Sequence, residues 1–219
     1  MFFSGADFAD LLYRIPALLI ALTFHEYAHA RMAYAWGDPT AKNAGRMTLN
    51  PISHLDPLGT LMIMLVMFGW ARPVPINPFN FRDREKGIFW VSLAGPGTNL
   101  ILAFFATLIL FLVTGSLPTI YRWITPSIFE GIMTWIIFIN VFLAIFNFVP
   151  LPPLDGSKML RSILPRAYAH YYDSFEAYGP FVLILLLVFG LLPRILLPIA
   201  SVIIGAINLL VLMLTGHYF

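Results

Sequence analysis

The chain is expected to be an all-α polytopic membrane protein, with about five transmembrane helices plus a re-entrant, partly extended segment. Three observations predict this. It is 59% hydrophobic and only 11% charged, with mean hydropathy +0.82, whereas soluble domains carry about 25% charged residues. Several apolar runs approach or exceed the roughly 20 residues that a helix needs to cross hydrocarbon. Between them lies Arg72-Pro73-Val74-Pro75-Ile76-Asn77-Pro78, whose alternating prolines forbid a helix.

The first run extends from about Phe8 to Trp36 and stops at the turn sequence Gly37-Asp38-Pro39. The residues before it lack a basic n-region and a small-residue cleavage site, so this helix is expected to be retained rather than removed as a signal peptide. A second run, Pro57 to Trp70, holds only fourteen residues. The third, Gly87 to Gly115, and the fourth, Ile128 to Val149, are each long enough to span. The last, Phe181 to Thr215, is interrupted by Pro193-Arg194. It reads as a helical hairpin over about 178–216, with one kinked helix as the alternative. No polar stretch is long enough for a separate soluble domain, so residues 1–219 read as a single integral membrane domain with its core at about 8–156.

The short second run decides the topology. If it dips in and returns, the inner ends of the first and fourth helices face the same side. The stretches Arg31–Lys86 and Lys158–Arg166 hold most of the Lys and Arg. The re-entrant arrangement makes all of these cytoplasmic and leaves only Arg14, Arg122 and Arg194 toward the outer face, a clear positive-inside bias. Residues 37–86 then form a cytoplasmic, partly re-entrant excursion. Its proline run is extended, and at membrane depth such backbone needs protein or a water-filled cavity around it. Val74, Pro75 and Ile76 can pair with an extended substrate peptide; a plain surface loop is the alternative.

Chemistry concentrates in His25-Glu26-Tyr27-Ala28-His29, an H-E-x-x-H sequence inside the first apolar run. Two histidines at this spacing share one helix face and can reach one metal ion, and the glutamate beside them can take a proton from a water that the metal activates. There is no cysteine, so any further ligand is His, Asp or Glu. Glu130 lies near the far end of the fourth segment. Asp38, Asp83, Glu85, Asp173 and Glu176 lie in polar loops, where solvated surface charge is the default. Asp155 differs, because it follows Pro150, Pro152 and Pro153 where the fourth segment meets the cytoplasm. The histidines lie about 10–16 Å from the inner end of the first helix at 1.5 Å per residue. The re-entrant topology puts Asp155 on that same side, although Asp-Gly is also a common turn dipeptide.

Two motifs together, H-E-x-x-H and N-x-x-P-x-P-x-L-D-G over Asn147 to Gly156, resemble the site-2 protease family of intramembrane zinc metalloproteases. Ala94-Gly95-Pro96-Gly97-Thr98-Asn99 is similar to the family's intervening core helix. Gly45–Gly59 and the later PVPINP are similar to small bacterial and archaeal members, without a PDZ or CBS domain. The resemblance covers roughly residues 20–156. It implies one Zn²⁺ ion on His25, His29 and Asp155, and Glu26 as general base. It further implies hydrolysis of transmembrane helices of membrane-protein substrates, as in regulated intramembrane proteolysis. The expected setting is the lipid bilayer of a prokaryotic plasma membrane, with the active site toward the cytoplasm.

Other residues keep two readings. Asn147 and Asn99 can orient substrate, or satisfy carbonyls near helix breaks. Gly95 and Gly97 can simply permit close helix packing. His54 and Asp56 are expected to stabilise their loop rather than bind a second metal. No basic tract points to nucleic acid. The competing function is a metal transporter or a zinc-regulated membrane protein, in which Glu26 and the proline-rich Asp-Gly motif lack a purpose.

Overall fold

The computed structural model describes residues 8–59, 71–118, 127–165, 168, 172 and 176–217. Helices α1 (Phe8–Ala35), α2 (Thr40–Asn43), α3 (Arg84–Thr114), α4 (Ile128–Phe148), α5 (Asp155–Ile163), α6 (Gly179–Val188) and α7 (Leu191–Thr215) follow in chain order. Single-turn 3₁₀ helices lie at Pro51–His54 and Pro78–Asn80. Among the described residues the architecture is all-helical, and extended pairing is limited to an antiparallel bridge between Leu55 and Ala71.

Among the described residues three helices, α3, α4 and α7, are long and apolar enough to cross a membrane by length and composition. The chain is an integral membrane protein. α1 runs for 28 residues, about 42 Å at 1.5 Å per residue, but Arg14 and the His25–His29 run dilute its apolar character. Most of Pro57–Trp70, on which the re-entrant reading turns, lies outside the described residues, as does Arg122.

The C-terminal run forms two helices, but the break falls at Phe189–Gly190 and not at Pro193-Arg194. Gly190 has φ +65°, a left-handed conformation that costs glycine nothing sterically. Pro193 instead occupies the first turn of α7, where backbone N–H groups have no helical acceptor and proline is tolerated. At ten residues α6 is about 15 Å long, half the hydrocarbon thickness.

α1 packs against α3 and α4, which also pack on each other. Ala17, Ala103, Ile137, Val141, Leu196 and Ala200 lie in the shared core. Lipid removes the hydrophobic drive between helices, so small residues such as Ala17 and Ala103 matter by letting backbones approach. The charge in α1 is accommodated on an aromatic face, with the Arg14 guanidinium 4.2 Å over the Trp135 ring. Ser127 opens α4 by accepting from the Glu130 N–H at 3.2 Å, while its hydroxyl donates to Glu130 Oε2 at 2.8 Å. Glu130 is thereby engaged with the N-cap serine at the helix start.

Residues 72–77 are not helical, and hydrogen bonds anchor both ends of the stretch. The Arg72 N–H donates to the His54 carbonyl at 2.9 Å, and the Arg46 guanidinium to the Arg72 carbonyl at 2.7 Å. At the other end, the Asn77 N–H donates to Asp38 Oδ2 and Asn80 Nδ2 to Asp38 Oδ1, each at 2.7 Å. Asp38 is thus not the solvated surface charge that its loop position suggests. It is fully buried, because it follows α1 directly and faces four donors from two neighbouring turns. Burial opposes its ionisation, yet hydrogen bonds from Thr40, Asn77 and Asn80 outweigh this and hold its carboxyl below the usual range. His54 and Asp56 stabilise the loop as expected. His54 Nε2 donates to the Thr48 carbonyl at 2.8 Å, and Asp56 accepts from the Gly59 N–H at 2.7 Å.

Candidate active site

The i, i+4 spacing on α1 stacks His25 and His29 on the face turned toward α3, where both are buried. Each ring is fixed from its Nδ1 side. Asn99 Nδ2 donates to the Ala21 carbonyl at 3.1 Å, which turns its Oδ1 toward His25 Nδ1 at 2.7 Å. His29 Nδ1 lies 2.7 Å from the Val91 carbonyl. Both partners are acceptors, so both Nδ1 atoms carry the proton and both Nε2 atoms present a lone pair in the neutral imidazoles.

Those Nε2 atoms face each other at 2.9 Å, and each lies 3.2 Å from Asp155 Oδ2. Two lone pairs and a carboxylate oxygen repel one another at this range unless a cation lies among them. Tetrahedral zinc with bonds of about 2.0–2.1 Å separates its donors by about 3.3 Å, so the donor set and spacing fit that metal. Among the described residues, His25, His29 and Asp155 are the cluster of His, Asp and Glu groups that could hold a metal ion. Asp155 reaches it as the first residue of α5, after the proline-rich turn that ends α4. That turn includes a cis Pro152–Pro153 bond.

Gly95 makes room for this arrangement. A Cβ there would lie 2.5 Å from His29 Nε2 and 2.6 Å from His25 Cε1, inside any tolerated contact. Gly97, by contrast, has nothing within 4 Å of such an atom. Gly95→Ala is therefore expected to displace the imidazoles and weaken zinc binding at least about tenfold, while Gly97→Ala leaves it unchanged. Zinc competition against a chromophoric chelator measures both.

A cavity of about 310 Å³ opens beside the three donors. His25, Glu26, His29 and Asp155 line it together with Val74 and Ile76 of the extended stretch. Glu26 Oε2 accepts the Val74 N–H at 2.8 Å. Between the anchored ends, prolines at 73 and 75 leave Val74 and Ile76 as the residues with an N–H. The Ile76 N–H and the Val74 carbonyl have no protein partner among the described residues.

Of the residues considered for substrate, Asn147 lines the cavity, with Nδ2 donating to the Leu143 carbonyl at 3.0 Å. Pro75 is exposed and does not line it. Asn99 is fully buried, and its amide is engaged with His25 and Ala21 instead of the cavity. Sequence reasoning passes over Ser92 and Lys158, which also line the cavity. Lys158 Nζ is 3.8 Å from Asp155 Oδ1, and its i+3 position from Asp155 is the signal that could have flagged it.

Comparison with known proteins agrees with this geometry. Residues 13–190 match the family described as Peptidase family M50. The chain is 40% identical to a Bacillus subtilis protein named "Putative zinc metalloprotease YwhC", over 80% of each chain. It is 34% identical to "Putative zinc metalloprotease MJ0611" of Methanocaldococcus jannaschii, over 73% of this chain and 75% of that one. A Mycolicibacterium smegmatis protein named "Putative zinc metalloprotease Rip2" is 28% identical, over 82% of this chain and 68% of its own. No solved structure matches significantly.

Proposed function

Because the chain belongs to peptidase family M50, the site-2 protease family of metalloproteases, we propose that it hydrolyses peptide bonds in transmembrane segments of membrane-protein substrates. His25, His29 and Asp155 hold one zinc ion, Glu26 is the general base, and the whole chain acts as a single integral membrane protease domain. The observation that carries this reading is the shared cavity, in which the three converging donors face a backbone edge fixed at both ends and open in the middle. When bound, zinc acidifies a water and polarises the scissile carbonyl as a Lewis acid.

The residues of the chain divide the remaining work. Asn99 and the Val91 carbonyl hold the two rings so that both Nε2 atoms face Asp155. The Val74 N–H holds Glu26 Oε2, leaving Oε1 to take a proton from the attacking water and return it to the leaving amine. A transmembrane helix hides its peptide bonds, so the substrate must unwind locally. The Val74 carbonyl and Ile76 N–H offer its extended backbone a pairing edge, and Asn147 a side-chain amide. The stretches Arg31–Lys86 and Lys158–Arg166, which hold most of the basic residues, adjoin the histidine pair and Asp155 in sequence, and this supports a site facing the cytoplasm of a prokaryotic plasma membrane. The family supports a role in regulated proteolysis of signalling precursors.

Val74→Pro tests the role of the strand, because it deletes one N–H from a backbone already set by neighbouring prolines. Cleavage is expected to fall about tenfold or more, as for loss of a charge-assisted hydrogen bond, with zinc content unchanged. The function itself is tested in zinc-loaded proteoliposomes that carry a transmembrane peptide. The expected result is a cut inside the membrane segment. Zinc flux without any cut would instead assign the chain to metal transport.

A further inference from the structure

His25 is not held by α3 alone. Asn99 Nδ2 also donates to Asn140 Oδ1 of α4 at 2.7 Å, and Asn140 Nδ2 donates to the Ile136 carbonyl one turn back at 2.8 Å. Both asparagines are fully buried. The orientation of each amide follows from these bonds. The Ile136 carbonyl can only accept, so Asn140 must turn its Nδ2 there and its Oδ1 toward Asn99. The Asn99 Nδ2 is thereby drawn between Asn140 and Ala21, and its Oδ1 is left for His25 Nδ1. The line from the Ile136 carbonyl to the imidazole is continuous and has one direction.

We propose that Asn140 is a positioning residue of the metal centre, setting the tautomer and orientation of His25 through Asn99. This rests on His25 being a metal ligand. It gives α4 two holds on the site. One is through the turn that delivers Asp155, and the other is at Asn140, two helical turns before Asn147, which lines the cavity. The alternative is ordinary interhelical adhesion, since asparagines bridge helices in lipid without serving any site. Asn140 has a more specific geometry than adhesion requires, because its acceptor meets the one amide that contacts a ligand ring. Without that acceptor, only the Ala21 carbonyl opposes rotation of the Asn99 amide, and a rotated amide would present a donor to His25 Nδ1. The ring would then favour the tautomer with its proton on Nε2, which cannot ligate.

Two readouts separate the readings, zinc affinity by chelator competition and the visible absorption of the Co²⁺-loaded protein, each beside a melting temperature in detergent. Asn140→Leu keeps the bulk and removes the acceptor. It is expected to weaken zinc about 10–100-fold and to change the Co²⁺ bands. Asn140→Asp keeps an acceptor for Asn99 and is expected to hold affinity within a few fold of the native protein. In an Asn99→Ala background Asn140→Leu is expected to add nothing, because its path to His25 is already cut. The proposal is overturned if Asn140→Leu lowers only the melting temperature, or if its effect on zinc persists in the Asn99→Ala background. It is equally overturned if Ile137→Ala, a buried neighbour outside the line, costs the same affinity. His25→Ala separates the premise from the proposal: unchanged zinc binding there refutes the ligand reading itself, whereas zinc loss there with native binding in Asn140→Leu refutes only the relay.

Discussion

Glu26→Gln is expected to bind zinc at full stoichiometry and to lose cleavage of a membrane-embedded peptide by about 10²–10⁴-fold, the range for removal of a general base. The substitution is close to isosteric, and the glutamine carbonyl can still accept the Val74 N–H that Glu26 Oε2 accepts at 2.8 Å. The strand should therefore stay in place. Glu26 is not one of the three converging donors, so the metal should stay as well. What is lost is a group that can take up a proton beside the scissile bond. The measurement is turnover of a transmembrane peptide in detergent or proteoliposomes, with zinc counted on the same sample. Activity within a few fold of the native protein would remove Glu26 from the proton-transfer role. Inactivity accompanied by zinc loss would mean that the carboxylate supports the metal. The same variant should also retain uncut substrate, and so offers a way to capture it.

The sequence carries some parts of this site plainly and hides others, for physical reasons. His25 and His29 are legible because helical periodicity alone puts them on one face. Asp155 stands out in the sequence because it follows a proline-broken turn at the inner end of an apolar run, although Asp-Gly alone also reads as a plain turn. Its approach to both histidines is seen only in the fold. The extended stretch is legible because Pro73 and Pro75 forbid anything else. The N–H of Val74 finding Glu26 is a tertiary fact, and no local pattern encodes it. Asp38 illustrates the difficulty. In sequence it is a turn residue before proline, while in the fold it is buried and anchors Asn77 and Asn80. Asn99 and Asn140 are ambiguous for the same reason, since an amide in an apolar helix looks alike whether it satisfies a carbonyl, a neighbouring helix or a ligand ring. The break before α7 reads a few residues late because Pro193 is conspicuous and Gly190 is not. A proline in a first helical turn is harmless, whereas the left-handed glycine is where the helix breaks.

Asp155→Ala is expected to lose zinc by more than the about 10–100-fold that changes to supporting residues cost, because it deletes one of three donors. The two Nε2 atoms, 2.9 Å apart, would keep a metal only with extra water in place of Oδ2. Stability provides a second readout, independent of activity. A ligand that binds only the folded state stabilises it by RT ln(1 + [L]/Kd), about 2.7 kcal/mol at a hundredfold excess over Kd. The native protein is therefore expected to melt at a lower temperature after chelation, while the melting temperature of Asp155→Ala should no longer respond to chelator. Local misfolding would predict something else, since a misfolded α5 would also release the Arg161–Glu85 ion pair between α5 and α3. A Glu85→Gln control reports what that contact contributes and should leave the chelator response intact. Zinc content in Asp155→Ala equal to the native value would refute the ligand role, whatever happened to cleavage. With Asp155 excluded, no third donor remains among the described His, Asp and Glu residues within reach of the two histidines, and the three-ligand centre would have to be abandoned with it.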